Sequence, residues 1–469
     1  MQTLSFIEEC CWQPDSGWSG KLIATYAEMK ATLSGFETRA GFTGFQKGNV
    51  ELTLASGETA TLLDCRGGLP GSVATATKHL AHTELVPSYL LVGDRRWTDN
   101  DLVESMEFCL PDARTSLSFG DHREMHVEEE EGEAVLVSKT HLSRTEVGCI
   151  ELPDYEVRIS VQKSLSRATK DEVGRDPVWF LVKFAKPYRL YATFQIPFHI
   201  TTFFELSVGR PLTPRGFVIK SYRDTPLAPN YAQVDDFEFY RTEDPVERSE
   251  HQHHEPVFTI RREEDRKTTL EALRIWLNRR RDWEVTYWLA SQFVHGGRQV
   301  NRSNMLRAMA WFESIPTYQS VSTINEKSLK IFSRECREMD SFKALGIAPE
   351  RLNEVLNELH RAPLNSRIQL AIADINRYMQ SDFLREPFYE DCKKAKKMRD
   401  KAAHGGDASL EEDFGEVVTA TFAIETLAFL STICLLGGDP RKIRSIMNWA
   451  WPHPYAGYFG MKQTSQHEE

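Results

Sequence analysis

The sequence predicts an α+β multidomain protein: an N-terminal β-rich domain, sandwich or barrel-like, followed by a C-terminal all-α helical bundle. Three observations carry this prediction. Over residues 1–245, short β-branched and aromatic segments alternate and are broken by Gly and Pro. Residues 246–267 are polar and mixed in charge, the composition of a linker. From Thr268 onward, apolar residues recur three and four positions apart, the period of a helix. A chain of 469 residues has room for two or three domains with sizeable cores.

In chain order, strands are expected at Thr3–Ile7, Leu22–Tyr26, Val50–Leu54, Tyr89–Val92, Leu102–Leu110, Val135–Ser138, Tyr155–Val161, Val178–Phe184, Phe217–Ile219 and Asp236–Tyr240. The acidic run Glu128–Glu131 with Gly132 reads as a solvated hairpin tip. Gly67-Gly68-Leu69-Pro70-Gly71-Ser72 lacks the Lys-Ser/Thr ending of a phosphate-binding loop and reads as a turn. In the linker, His251, His253 and His254 have no Cys or carboxylate at ligand spacing and read as solvated.

The helical half follows. Leu270, Leu273, Trp276 and Leu277 mark one face. Met305, Met309 and Phe312, with Leu306 and Trp311, mark a second helix ended by Pro316. Leu329, Phe332, Cys336 and Met339 suggest a third. Pro349 opens a helix carrying Leu352, Val355, Leu356 and Leu359, and Ile368, Ala371, Ile372 and Ile375 give another. His295-Gly296-Gly297 reads as a helix C-cap. Val417–Leu436 is nearly long enough to span a bilayer, but Glu425 sits in its middle and no Lys or Arg flanks its start. It is expected to be a buried bundle helix, not a membrane span.

The net charge of −11 argues against a general nucleic-acid coat, so any RNA contact must be local. The eight cysteines are scattered without a Cys-x-x-Cys pair; they are expected to be reduced thiols of a cytoplasmic protein, with no metal site. Met1–Trp12 has Glu8 and Glu9 and no basic region, unlike a signal peptide.

Against this acidic background stands one basic stretch, Lys393 to Gly406. It reads as the last turns of a helix with Ala395, Met398 and Ala402 as a narrow apolar stripe and Gly405-Gly406 as its stop. Lys393, Lys394, Lys396, Lys397, Arg399 and Lys401 oppose only Asp400 within it, an electrostatic footprint for phosphate. Arg399 and His404 enclose four residues. Residues five apart sit roughly 140° around an ideal helix, so the two converge only where the helix loosens near its end. Asp400 can hold the Arg or the His in place. Ser409 and Glu412 form a capping box that opens the next helix.

Arg399, Asp400 and His404 resemble the catalytic motif of HEPN-domain ribonucleases: an Arg, a polar residue, three to five more, then His. Arg248 lies at similar spacing from His253 and His254, but in a charged stretch with no helical pattern. Val86–Leu110 resembles the N-terminal domain of ApeA-type abortive-infection proteins, in which a strand ending in a small-residue turn precedes a second strand. Phe198–Ile219 is similar to the same family's short helix, Gly-x-Pro turn and returning strand.

The resemblance implies an anti-phage endoribonuclease working as a face-to-face homodimer or higher even-numbered homo-oligomer, with a β-rich sensor for a phage-derived trigger. tRNA is the RNA favoured by related toxins. The residue chemistry agrees. A His near its ordinary pKa of about 6.5 serves as acid or base, and an Arg holds the phosphate. No metal or other cofactor is called for. Asp400 would orient the pair, and the five lysines would steer RNA or form a solvated helix face. Two other readings stay open. The bundle is a catalytically silent scaffold beside a β-rich ligand- or protein-binding module, with Arg399 an internal ion-pair partner. Alternatively, the bundle binds or modifies nucleotides.

Overall fold

In a computed structural model, the described residues are 6–12, 18–24, 29–37, 48–67, 71–74, 79–93, 96–98, 100–110, 124–130, 133–139, 144–162, 178–212, 214–222, 230–234, 256–260, 263–295, 301–319, 326–344, 346, 348, 351–352, 362–403, 414–448 and 454–459. Contacts divide the chain into two compact units: Met1–Phe204 with Leu212–Glu250 and Thr259–Leu270, and Glu205–Pro211 with His251–Phe258 and Glu271–Glu469. The N-terminal half is a curled antiparallel sheet and the C-terminal half is helical, an α+β architecture.

The strands are β1 (Phe6–Trp12), β2 (Trp18–Ala24), β3 (Met29–Glu37), β4 (Gly48–Leu54), β5 (Thr59–Gly67), β6 (Gly71–Ala74), β7 (His79–Val86), β8 (Tyr89–Gly93), β9 (Leu102–Leu110), β10 (Glu124–Glu130), β11 (Glu133–Lys139), β12 (Arg144–Glu151), β13 (Tyr155–Gln162) and β14 (Val178–Arg189). Helix α1 (Leu190–Val208) comes next, then β15 (Arg215–Ser221) and β16 (Asn230–Val234). Among the described residues, fourteen strands form one sheet in the order β12-β13-β14-β9-β15-β16-β8-β5-β4-β1-β2-β3-β7-β6, and β10 pairs with β11 apart from it. The sheet curls because β5 also pairs with β7, through Arg66↔Val86 and Gly67↔Leu85. That pairing completes a circuit through β5, β4, β1, β2, β3 and β7, so the barrel-like expectation describes this part better than two stacked layers.

The enclosed face is apolar by alternation. Leu22, Leu33, Leu52, Leu54, Leu62 and Leu85 are all buried in one cluster. Each such side chain stabilises by about 1.5–3 kcal/mol relative to exposure. Farther along the sheet, Phe108 stacks between Phe180 and Phe217, and Phe204 of α1 leans on Phe180. Phe194 of α1 stacks on Tyr89 with ring centres 4.2 Å apart. Within Val86–Leu110 the described strands include β8 and β9, and within Phe198–Ile219 lie the end of α1, Gly209 at φ 70° and β15. The helix is nineteen residues, not short, and is apolar on most sides.

The helical half comprises α2 (Glu263–Asn278), α3 (Arg280–His295), α4 (Arg302–Ser314), α5 (Pro316–Gln319), α6 (Glu326–Glu338), α7 (Asp340–Ala344), α8 (Leu364–Met379), α9 (Glu386–Ala403), α10 (Phe414–Leu435) and α11 (Pro440–Asn448). α10 packs against α4 and α9, and Val417 to Ile433 is buried nearly throughout. By length and composition α10 is apolar enough to cross a membrane, but its apolar surface is covered by its neighbours.

Two sequence expectations need adjusting. Val257, Phe258, Thr259 and Ile260, placed in the polar linker, are buried, and α2 already begins at Glu263. The local Val-Phe-Thr-Ile run is apolar enough to seek cover inside an otherwise polar stretch. On α6, Leu329 is buried, but Phe332 is 51% exposed and Met339 also faces solvent, so the expected core stripe is partly surface. Strand Asp236–Tyr240, the helix from Pro349 beyond Leu352, and His251, His253 and His254 lie outside the described residues.

Gly20 of β2 faces β3 so closely that an added Cβ would lie 1.8 Å from the Thr32 carbonyl oxygen. Backbone cannot yield as a side-chain tip can. Gly20→Ala is expected to lower the thermal unfolding midpoint, costing about 1–3 kcal/mol or more. An unchanged midpoint would show that the β2–β3 spacing is not fixed by this contact.

Candidate functional site

The site is built on three helices of the second unit. α8 buries Ile368, Ala371, Ile372 and Ile375, spaced at three and four, and this leaves Arg367 on its flank. After Gln380, in the left-handed region at φ 51°, the chain turns back. Asn376 holds that turn: its Oδ1 accepts from the Phe383 and Leu384 amides at 3.1 and 2.8 Å, and its Nδ2 donates to the Leu384 carbonyl at 3.0 Å. α9 then runs back with Phe388, Cys392, Ala395 and Met398 buried; Ala402, the third member of the expected stripe, is exposed. α4 is capped at its start by Asn301, whose side chain accepts from the Asn304 amide, and its last turn presents Glu313.

Arg399, on α9, donates through one terminal nitrogen to Asp400 Oδ1 at 3.0 Å and through the other to Glu313 Oε2 at 3.1 Å. Its side chain is 38% exposed. Arg367 approaches the same Glu313 oxygen at 3.6 Å. Lys396 donates to the other Asp400 oxygen at 2.6 Å. A chain of alternating charge therefore runs Arg367, Glu313, Arg399, Asp400, Lys396. Desolvation works to raise the Asp400 carboxyl, but hydrogen bonds from Lys396 and Arg399 outweigh it and hold the carboxyl below its ordinary value.

The structure thus brings Asp400 to Arg399 as the sequence reading requires. α9 is described as far as Ala403. His404 itself, with Gly405, Gly406, Ser409 and Glu412, lies outside the described residues. The lysines divide. Lys393 pairs with Glu390 at 2.8 Å, Lys394 with Asp391 at 3.2 Å, and Lys396 with Asp400. Lys397 and Lys401 are exposed. The run from Lys393 looks unopposed only because its acids, Glu390 and Asp391, stand one turn upstream. Asp391 is itself buried and accepts a hydrogen bond from Tyr458 Oη at 2.8 Å.

Glu313 and Arg367 were not legible as site residues. Glu313 lies 86 positions from Arg399, and no local pattern joins them. One signal was available: a carboxylate in the last turn of a helix opposes the helix dipole and so calls for a cation nearby.

An arrangement of two guanidiniums, a lysine and two carboxylates at the end of a helix can bind a phosphate and hold its orientation. A guanidinium offers five N–H donors, and Arg399 commits two of them here. The thiol of neighbouring Cys392 is pushed well above its ordinary pKa by burial, which leaves it a packing residue rather than a nucleophile. No protein-family model, curated protein or solved structure matches this chain.

Because the folded Asp400 carboxyl titrates below its unfolded value near 3.9, its contribution to stability is present above that pH. It is lost as pH falls through the folded value. Asp400→Asn is therefore expected to lower the melting temperature at pH 7, and the gap to wild type is expected to close below about pH 4. A gap unchanged at pH 3 would show that the side chain stabilises without its charge.

Proposed function

We propose that this chain is a HEPN-type endoribonuclease of ApeA-type abortive infection, acting on RNA without a metal. Arg399 binds the scissile phosphate, and His404 removes the 2′-hydroxyl proton or protonates the leaving 5′-oxygen. Asp400 holds Arg399 in position. The 2′-oxygen attacks the adjacent phosphorus, the P–O5′ bond breaks, and the products are a 2′,3′-cyclic phosphate and a 5′-hydroxyl. DNA, lacking the 2′-hydroxyl, resists. One His per chain supplies one proton-transfer group, so acid and base come from two copies in a homodimer or higher even-numbered homo-oligomer. The substrate is RNA, tRNA foremost, the β-rich half senses a phage-derived trigger, and the enzyme acts in the cytoplasm rather than at a membrane.

One observation carries this reading. Arg399 sits in the penultimate turn of α9, partly exposed, with Asp400 fixing the plane of its guanidinium and further N–H donors directed beyond that bond. Lys397 and Lys401, exposed on the same helix, add attraction for the RNA backbone.

A second reading has an observation of its own. Arg399 pairs with both Asp400 and Glu313, and Lys393, Lys394 and Lys396 each pair with an acid on their own helix. A silent scaffold, serving a ligand- or protein-binding β-rich module, would use these charges only to join helices.

The two readings separate on catalysis. Wild type is expected to cleave RNA equally with and without EDTA and to leave cyclic-phosphate ends. His404→Ala and Arg399→Ala are expected to lose about 10²–10⁴-fold in rate and to relieve growth arrest. Equal toxicity of wild type and His404→Ala would favour the scaffold, and activity lost in EDTA would point to metal chemistry.

A further inference from the structure

Glu313 is an unusual partner for two arginines. It stands in the last turn of α4, where the helix dipole disfavours a carboxylate, and a single oxygen, Oε2, meets Arg399 at 3.1 Å and Arg367 at 3.6 Å. The two guanidiniums come from different helices, α9 and α8, and converge on one point from two sides. Their like charges would repel at that separation without an anion between them. Side-chain exposures of 38% for Arg399, 21% for Glu313 and 16% for Arg367 place the cluster at the border of solvent.

We propose that Arg367 and Arg399 form a two-guanidinium cradle for an RNA phosphate, and that Glu313 occupies it as an internal latch until a phosphodiester displaces it. The proposal rests on the ribonuclease reading and deepens it. It adds Arg367 as a second phosphate-binding residue and gives Glu313 a regulatory role. The exchange conserves charge at the cradle: one anionic oxygen leaves and another takes its place, so neither guanidinium is stranded. A phosphodiester presents two non-bridging oxygens, and two arginine forks can each take one, where the carboxylate engages both through Oε2 alone. The released Glu313 moves toward water, at the edge of a half-exposed cluster. Asp400 remains on Arg399 through the other terminal nitrogen and keeps its plane fixed during the exchange.

The test uses the full chain and a single-stranded RNA oligonucleotide with 2′-O-methyl riboses, which binds but is not cleaved, followed by fluorescence anisotropy across a salt series. Glu313→Gln removes the latch charge and is expected to tighten binding about three- to tenfold. Arg367→Ala is expected to weaken binding about tenfold and to reduce the slope of log affinity against log salt by roughly 0.7. Arg367→Lys, keeping the charge without the fork, is expected to recover the slope but not the full affinity. Should Glu313→Gln fail to fold, Glu313→Asp, with a shorter reach, carries the same expectation of tighter binding. A melting temperature that falls in each variant while affinity and salt slope stay at wild-type values overturns the cradle and leaves a helix-joining ion pair. Absence of oligonucleotide binding by both wild type and Glu313→Gln also overturns it. Binding that follows these expectations in a chain that cleaves no RNA would retain the cradle and remove the nuclease reading.

Discussion

One carboxylate oxygen, on Glu313, meets guanidiniums from two other helices, and the geometry of the helical site depends on that meeting. α9 also packs directly against α4 and α8, and apolar packing of that kind is strong but tolerant of sliding. Charge pairing is less tolerant: partly buried, the pair has real Coulombic strength, and removing one partner strands the others. The ion chain from Arg367 to Lys396 therefore sets the register of three helices, with the apolar faces supplying the energy that holds them together.

The same chain shows how a local basic sequence is tempered in three dimensions. Six cations between Lys393 and Lys401 look like an open field for nucleic acid. In the folded helix, Glu390, Asp391 and Asp400 take up Lys393, Lys394 and Lys396, and Glu313 takes up Arg399. The exposed Lys397 and the 38% exposed Arg399 side chain carry the long-range attraction of this face. Such a field is short-ranged at physiological salt, where screening acts within about 8 Å. Recognition of a partner by this site has to rely on contact geometry more than on steering.

How much of this was legible in the sequence depends on whether the signal was local. Leu102–Leu110 matches β9 end to end because alternation and flanking turns mark it. The α8 face from Ile368 to Ile375 and the basic helix α9 are equally local patterns. Strand β7 was not anticipated: its His and Glu residues disguise the alternation that buries Thr83 and Leu85. Helix α1 shows no period because it is apolar on most sides, Pro197 included. Phe332 and Met339 have the spacing of a core stripe yet lie at the surface, since spacing reports a face and not what covers it. At the site, Asp400 was legible beside Arg399, but Glu313 and Arg367 were not, because tertiary partners leave no mark on each other's neighbourhoods.

A last consequence concerns the margin of the sheet. Among the described residues β12 ends the fourteen-stranded order, and its exposed Arg144, Thr145 and Glu146 are followed by a register shift before Gly148. Charged side chains and an interrupted ladder make that strand a poor template for another chain to extend. The described β-rich half is thereby guarded at this margin against runaway end-to-end stacking.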